Sequence, residues 1–343
     1  QQVLIGKMST ADLLKGWDQF WSEKWAGSPM SRAARAAKGT GGATARPPKG
    51  RQFNGRSALT IFAYLSPAFL FVIVFTYYPL LVGGRMAFHQ WTLWDLTNTP
   101  FVGLKNFATL IADPLFPKVM LNSVLWVLGS LIPQFVIGFL IALALKKRFR
   151  FRGLYQALVF YPWAVSGFLI GILFRWMFNS EFGVFNDMLM RTGITDTPVP
   201  WLANPDLALV SVILANIWYG VAFFAMMILA ALQSVPDELH EAAALDGAGR
   251  LGTLFLVTIP TIRTTLVLTV LLRVIWIFNF PDIIYAMTGG GPANQTQIAT
   301  TWMIQFTQQG DYGLASALGF IVMGVLVTFT AIYLALLSKE RAS

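Results

Sequence analysis

Residues 119–152 read VMLNSVLWVLGSLIPQFVIGFLIALALKKRFRFR, an apolar run followed by a basic cluster. The apolar part, 119–145, is longer than the about 20 residues that a helix needs to cross the hydrocarbon core of a bilayer. The basic part, KKRFRFR, is typical of a cytoplasmic loop, because such loops are enriched in lysine and arginine. This stretch therefore predicts a transmembrane helix whose carboxyl end lies in the cytoplasm.

The composition of the whole chain excludes an ordinary soluble domain. Of its 343 residues, 56% are hydrophobic and 12% are charged, and the mean hydropathy is +0.60, whereas soluble domains carry roughly 25% charged residues. The chain has no cysteine and only two histidines, His89 and His240. This excludes thiolate metal sites and cysteine nucleophiles, and it argues against a histidine metal centre or proton relay. We expect neither a metal site nor a resident cofactor in this chain.

Six apolar blocks are each long enough to cross a membrane as a helix, with some tilt. They lie at about 58–82, 119–145, 154–178, 207–232, 264–287 and 313–338. The sequence therefore predicts an all-α, polytopic membrane protein with six transmembrane helices.

The distribution of positive charge predicts the orientation of these helices. With the N-terminus inside, 19 of the 25 Lys and Arg residues fall in cytoplasmic segments and five fall outside, while Arg273 lies within the fifth block. Because positive residues concentrate on the cytoplasmic side, we expect both termini, the loop 146–153 and the loop 233–263 to be cytoplasmic.

Residues 1–57 form a separate tail, which has neither an apolar run long enough to span nor a signal-peptide pattern. Its apolar residues recur at helical spacing at Leu13, Leu14, Trp17, Phe20, Trp21 and Trp25. This spacing predicts an amphipathic helix in the membrane interface, or alternatively one that packs on a neighbouring subunit. Residues 27–56 are rich in Gly, Ala, Pro, Lys and Arg and predict a linker facing anionic head groups. Nucleic-acid binding is disfavoured, because no aromatic residues interleave the basic ones in 31–52.

The loop 233–263 reads QSVPDELHEAAALDGAGRLGTLFLVTIPTIR and is longer than a simple connection requires. Its first part predicts a helix, with Pro236 at the first helical position and acidic residues beside the positive end of the helix dipole. Gly247 and Gly249 are expected to end this helix, and Pro260 to mark the entry to the next span. A surface helix that only links two spans is the alternative interpretation.

This loop resembles the cytoplasmic signature of the membrane subunits of binding-protein-dependent ABC importers. In that signature a Glu-Ala-Ala triplet is followed by Gly at the seventh position and by an Ile-x-Leu-Pro ending at the twentieth. The matching residues here are Glu241, Ala242, Ala243, Asp246 and Gly247, closed by Val257, Thr258, Ile259 and Pro260. The segment DIIYAMTGGGPANQT at 282–296, with Asp311, Tyr312 and Gly313 after it, is similar to the larger permease of maltose-type carbohydrate importers. The similarity runs over about 58–338, so that 58–343 would be the permease domain.

The resemblance implies a multi-subunit importer in a bacterial or archaeal plasma membrane. Its partners would be a second permease, most simply in a heterodimer, two ATPase subunits and an extracytoplasmic solute-binding protein. The helix from Glu241 to Gly247 would insert into a groove on an ATPase subunit, with Glu241 making a charge contact and Gly247 permitting a turn or close approach. ATP and Mg²⁺ would belong to the ATPases, because this chain contains no G-x-x-x-x-G-K-[ST] loop. We therefore expect a transport subunit without catalytic residues of its own.

Polar residues within the spans are candidates for a substrate site, because they are costly in a bilayer. Aligned on the loop and on the FNF tripeptide, the sugar contacts of the maltose permease fall at Asn216, Gly220, Phe223, Phe278, Asn279 and Asp282. Asp282 is a departure, since the family member has asparagine there. The alternative is that the asparagines bond between helices and that Gly220 permits close packing.

Arg273 is expected to pair with a carboxylate, for which Asp282 is a candidate, or to bond to carbonyl groups. If Arg273 or Arg175 faces the passage instead, the substrate would be anionic, for example a uronate oligosaccharide or glycerol phosphate. Two other function classes are weaker. An ion-coupled carrier would need buried acids, of which Asp282 alone lies well within a block, and a membrane enzyme acting on lipid-linked sugars would need clustered carboxylates.

Overall fold

The computed structural model describes residues 55–147 and 149–342. The predicted interfacial helix and the linker up to residue 54 lie outside the described residues. The described α-helices are α1 (Gly55–Val72), α2 (Tyr78–Ala87), α3 (Lys105–Ala112), α4 (Phe116–Lys146), α5 (Arg152–Phe160), α6 (Gly167–Met177), α7 (Val184–Arg191), α8 (Pro205–Gln233), α9 (Asp237–Leu245), α10 (Arg250–Gly252), α11 (Ile259–Phe278), α12 (Asp282–Met287), α13 (Ala299–Gln308) and α14 (Tyr312–Ala342). In this part of the chain β-structure is limited to isolated bridges, such as the one between Thr92 and Asp311.

Five stretches of the described chain are long and apolar enough to cross a membrane. They are Phe62–Ala87, Phe116–Lys146, Pro205–Gln233, Arg250–Met287 and Tyr312–Ser338. The third apolar block instead forms a bent pair, Arg152–Ala164 and Gly167–Met177, with an angle of 98° between its halves. The predicted count of six is reached only if this pair is one span.

The break in the third block has a local cause. A 3₁₀ turn, Tyr161–Ala164, follows α5, and it contains Pro162, which cannot donate a main-chain hydrogen bond. The next two residues, Val165 and Ser166, have extended main-chain conformations before α6 begins. The apolar composition of the block is therefore compatible with two short helices as well as with one long one.

Several helix boundaries differ from the sequence expectations. The first helix begins at Gly55, shortly before the apolar block that starts at about 58, and Pro260 is the second residue of α11 but does not begin the span, which starts at Arg250. Pro260 follows α10 and a π-helical stretch, Thr253–Thr258, within one continuous helical segment. Because proline lacks an N–H and crowds the carbonyl four residues earlier, a widened π turn before it accommodates the ring. The same arrangement occurs at Ile73–Tyr77, just before Pro79.

The chain divides into two units at the boundary between Phe71 and Val72. In the second unit, α4 and α8 form the most extensive helix pair, and α11 packs beside α4. The fully buried Trp126, Phe224 and Ile228 belong to the apolar core of this unit.

Hydrogen bonds at the two ends of the second unit group its loops. At one end, Lys146 on α4 bonds to His240 on α9, which joins the loop 146–153 to the loop 233–263. At the other end, Asn122 near the start of α4 donates to the main-chain oxygens of Gln295 and Gln297, at 3.0 and 3.1 Å. The loops 146–153 and 233–263, both predicted to be cytoplasmic, therefore lie at the same end of the second unit, opposite the 288–297 loop.

Candidate functional site: a surface helix at one end and an aromatic cavity between the spans

The first candidate site is α9, the helix within the loop 233–263. Its start differs slightly from the sequence expectation, because Pro236 is the N-cap residue and Asp237 is the first helical residue. Asp237 and Glu238 lie in the first turn, where the helix dipole favours negative charge. The expected helix is therefore present, displaced by one residue.

The end of α9 depends on Gly247. The N–H of Gly247 donates to the Ala244 carbonyl at 3.1 Å, and the N–H of Ala248 donates to the Ala243 carbonyl at 2.9 Å. This is a Schellman cap, in which the residue after the C-cap adopts a left-handed conformation, and Gly247 has φ +78°. A Cβ at Gly247 would meet nothing within 4 Å. Within this chain the glycine therefore serves the turn and not a close approach.

The two faces of α9 differ in what they contact. Ala243 is buried against the rest of the chain, whereas Glu241 and Leu245, one helical turn apart, are exposed. Leu245 is 89% exposed, although it is a large apolar residue, and Ala243 is the one buried residue of this helix. Ala242, Asp246 and Gly247 are exposed as well. The residues of the sequence signature thus lie mostly on the accessible side of this helix.

The second candidate site is a cavity of about 430 Å³ between the spans. Its lining residues are Trp163, Tyr219, Arg273, Trp276, Ile277, Asn279 and Phe280. The rings of Tyr219 and Phe280 are stacked, with centroids 5.4 Å apart and an angle of 4° between their planes. The ring of Phe223 contacts Trp163 and Trp276, at 6.0 and 5.3 Å between centroids. The cavity is therefore walled by aromatic faces, with one amide and one guanidinium among them.

A buried hydrogen-bond network lies beside this cavity and joins three helices. Arg273 on α11 donates through Nε to the Gln134 side-chain oxygen on α4 at 2.9 Å. Gln134 donates through Nε2 to the main-chain oxygen of Asn216 on α8 at 2.7 Å, and Asn216 donates to Ser130 at 2.9 Å. Arg273 is 3% exposed, and the other three residues are buried. Arg273 thus bonds to a carbonyl oxygen, the second of the two partners expected from the sequence, and not to a carboxylate.

Of the six predicted substrate residues, Asn279 alone is among the residues that line this cavity. Asn279 is exposed and lines the cavity, and its side-chain amide also donates to the Ile275 carbonyl at 3.1 Å. The ring of Phe223 contacts both tryptophans, and Phe223 is 5% exposed. The remaining four do not line the cavity: Asn216, Gly220 and Phe278 are buried, and Asp282 is exposed at the start of α12.

The position of Gly220 explains why a glycine stands there. A Cβ at this residue would collide with the Arg273 guanidinium and with the Gln134 amide. Gly220 therefore leaves room for the polar network to pass between α8 and α11, which corresponds to the close-packing alternative. Arg175, the other arginine considered from the sequence, is exposed and is not among the residues lining the cavity.

Two residues of this region were missed in the sequence. Gln134 is an amide within the second apolar block, and the reasoning that selected Asn216 applies equally to it. Trp163 lines the cavity because the chain bends at the YPWA turn, a break that hydropathy does not reveal. Over the described residues, no group of three or more His, Asp or Glu side chains is arranged to hold a metal ion.

Comparison with known proteins identifies relatives for most of the chain. Residues 134–342 match the family described as "Binding-protein-dependent transport system inner membrane component". The chain is 30% identical over 282 residues to the trehalose/maltose transport system permease protein MalF of Thermococcus litoralis, which covers 81% of this chain and 94% of that protein. It is 31% identical over 280 residues to the sulfoquinovosyl glycerol transport system permease protein SmoG of Agrobacterium fabrum, covering 80% and 89%.

Solved structures show the same fold. A chain in the crystal structure of a bacterial ABC transporter involved in the import of the acidic polysaccharide alginate superposes with a TM-score of 0.72 at 25% identity, covering 82% of this chain and 96% of that one. A second alginate transporter structure, in complex with an alginate pentasaccharide-bound periplasmic protein, has a TM-score of 0.70 at 24% identity. Because the family match spans more than half of the sequence and relatives at 30% identity cover four fifths of it, the chain belongs to the inner-membrane components of binding-protein-dependent transport systems.

Proposed function

We propose that this chain is the permease subunit of an ATP-driven importer for a carbohydrate delivered by an external binding protein. The names of its relatives support a carbohydrate, since they transport trehalose or maltose and sulfoquinovosyl glycerol. The observation that carries the proposal is the pairing of an aromatic cavity between the spans with an exposed, capped helix at one end of the same helices. The cavity would accept the substrate, and the helix would receive the motion of an ATPase.

The chemistry of the cavity suits a sugar ring. Sugar rings present apolar C–H faces that stack on aromatic rings, and their hydroxyl groups need directed hydrogen bonds. The Tyr219–Phe280 stack and the two tryptophans offer such faces. The Asn279 amide and the Tyr219 hydroxyl offer donors and acceptors beside them. Of the residues predicted from the sequence, Asn279 is thus the best supported as a direct substrate contact.

A carbohydrate with an acidic group is the second candidate. Arg273 lines the cavity, and its Nη2 atom has no hydrogen-bond partner in the described part of the chain. One of the similar structures is an importer of an acidic polysaccharide. The existing contacts of Arg273 argue against an anionic substrate. Arg273 already bonds to Gln134 and lies over the Phe223 ring, 5.5 Å from its centroid. Competition between neutral and carboxylated oligosaccharides for uptake would decide between the two candidates.

The exposed face of α9 suits an ATPase partner. Leu245 and, beyond the turn, Leu251 are 89% and 72% exposed, and Glu241 lies one turn before Leu245. Exposed apolar residues beside a charged one are typical of a surface that a protein partner covers. The assembly would contain two ATPases and a second permease, with α9 and both termini of this chain in the cytoplasm of a bacterial or archaeal cell.

The experiment tests the contact at α9 directly. We expect Glu241→Lys to reduce copurification of the ATPase subunits and to abolish stimulation of ATP hydrolysis by loaded binding protein. Glu241→Gln, which removes the charge without reversing it, should have a smaller effect. The matched control is Glu181→Lys, the same reversal at an exposed position outside this loop, which should copurify the ATPases normally. Wild-type copurification and stimulation with Glu241→Lys would refute the role of α9.

A further inference from the structure

A different cavity, of about 810 Å³, lies between α9 and the ends of the spans. We refer to it as the basic pocket. Its lining residues are Leu143, Ala144, Lys146, Lys147, Leu232, His240, Ala244, Ala248, Arg250, Leu251, Thr253, Leu254 and Thr258. They come from the end of α4, the end of α8, α9 and the helical segment that follows it. The basic pocket therefore lies beside α9, at the ends of the helices that carry the aromatic cavity.

The charge of the basic pocket has one sign. Lys146, Lys147 and Arg250 contribute three cations, and no carboxylate is among the lining residues. Nζ of Lys146 lies 2.8 Å from Nε2 of His240, a contact that brings no carboxylate to the lysine. Lys147 and Arg250 are exposed and have no acidic partner at the pocket. The basic pocket is thus electrostatically suited to an anion.

The position of the basic pocket relative to the apolar blocks indicates which kind of anion fits. Leu143 and Leu232 belong to the second and fourth apolar blocks, whereas Lys146 and Lys147 are the first residues beyond the second block. The pocket therefore crosses the boundary between the apolar spans and the polar end of the protein. A free phosphate would be bound by the cations but would leave the leucine wall unused, whereas a phospholipid has both a phosphodiester and acyl chains.

The geometry points to an anionic phospholipid as the occupant: we propose that its phosphodiester lies among Lys146, Lys147 and Arg250, with the start of an acyl chain against Leu143 and Leu254. His240 and Ala244 line the pocket from α9, whereas Glu241 and Leu245 on the same helix do not line it and are exposed. The lipid would support α9 from behind and hold its exposed face in position. This second effect rests on the proposed function, whereas lipid binding itself does not.

The test measures lipid binding and coupling separately. The assembled transporter is purified from nanodiscs that contain phosphatidylcholine with a minor fraction of phosphatidylglycerol, and the retained lipids are quantified by mass spectrometry. We expect enrichment of phosphatidylglycerol over the bulk fraction. Arg250→Gln should lower its apparent affinity about five-fold, the factor expected for the loss of one cation near an anionic lipid surface. The control is Arg150→Gln, an exposed arginine on the neighbouring loop that does not line the basic pocket.

Each outcome has a defined meaning. Equal enrichment in wild type, Arg250→Gln and Arg150→Gln would overturn the proposal, as would displacement of the lipid by millimolar inorganic phosphate, which would identify a free-anion site. The proposal would also be overturned if the isolated permease retained phosphatidylglycerol and lost it when the ATPase subunits bound, because the ATPase would then fill the basic pocket. Reduced enrichment with Arg250→Gln, together with normal ATPase copurification, supports the lipid site. This result would stand even if Glu241→Lys left copurification unchanged and the coupling role of α9 were refuted.

Discussion

The buried pair of Gln134 and Arg273 offers a quantitative test of the architecture between the spans. Gln134→Leu removes the oxygen that accepts from Arg273 Nε at 2.9 Å and the amide that donates to the Asn216 carbonyl at 2.7 Å. A hydrogen bond to a charged group contributes about 1.5–3 kcal/mol and a neutral one about 0.5–1.5 kcal/mol. Because both residues are buried, water cannot replace these bonds. We therefore expect the substitution to lower the unfolding free energy by about 2–4.5 kcal/mol.

The double-mutant cycle isolates the interaction of the pair. Arg273→Met alone removes the charge but leaves the Gln134 oxygen buried without this donor. In the double variant both partners are replaced by apolar side chains of similar length, and the destabilisation should be smaller than the sum of the single effects by about 1.5–3 kcal/mol. The measurement is unfolding in mixed micelles by SDS titration, followed by the fluorescence of the twelve tryptophans.

A control pair tests whether the non-additivity is specific. Tyr333→Phe removes a single hydrogen bond, from the tyrosine hydroxyl to the Val267 carbonyl at 2.9 Å, and it shares no partner with Gln134. Its effect should add to that of Gln134→Leu within about 0.5 kcal/mol. If the destabilising effects of Gln134→Leu and Arg273→Met were also strictly additive, the inference that these two residues stabilise each other would be refuted.

Three further predictions concern the loop, the cavity and the topology. Gly247→Ala should speed amide exchange at Ala248 about five-fold or more, because alanine in the left-handed region costs at least about 1 kcal/mol. The control Gly249→Ala should leave this exchange rate unchanged, because Gly249 has φ −68° and a Cβ there would meet no atom within 4 Å. Equal effects of the two substitutions would contradict the cap. Asn279→Ala should reduce uptake about five-fold, the loss of one hydrogen bond of about 1 kcal/mol, without loss of assembly; unchanged uptake and substrate preference would remove Asn279 from the site. Because the chain has no cysteine of its own, single cysteines can be labelled specifically. A cysteine that replaces Asp196 should be labelled from outside the cell, and one that replaces Lys147 only after permeabilisation. The reverse pattern would show that the predicted topology is inverted.

Hydropathy predicted most of the fold because the bilayer imposes one requirement on every span. The second and fourth blocks match α4 and α8 closely, because each is an uninterrupted apolar run between polar segments. The bend in the third block could not be predicted in this way. It depends on the main-chain conformation at Val165 and Ser166, two residues whose side chains are compatible with either a straight or a broken helix.

The site was harder to predict because hydropathy does not show which side of a helix faces a cavity. Asn216 and Asn279 are the same residue type in similar apolar surroundings. In the structure, Asn216 bonds to Ser130 and is fully buried, whereas Asn279 is exposed at the cavity. The partner of the Asn216 side chain, Ser130 on α4, is 86 residues away in the sequence. The Asn216 side chain therefore bonds between helices through its Nδ2, while its Oδ1 has no partner in the described part of the chain.

The polar network also connects the aromatic cavity mechanically to α9. α8 runs toward α9 and α11 runs away from it, so these two helices flank the loop. Gln134 bonds to both of them beside the cavity, and Lys146, twelve residues further along α4 and hence about 18 Å away, bonds to α9. α4 is thus fixed to the cavity walls at one level and to the surface helix at another. A displacement of α9 by a partner would move α4, α8 and α11 together, because each is hydrogen-bonded or continuous with the next. On this reasoning Gln134→Leu should weaken the response of ATP hydrolysis to substrate, although it leaves the exposed face of α9 unchanged.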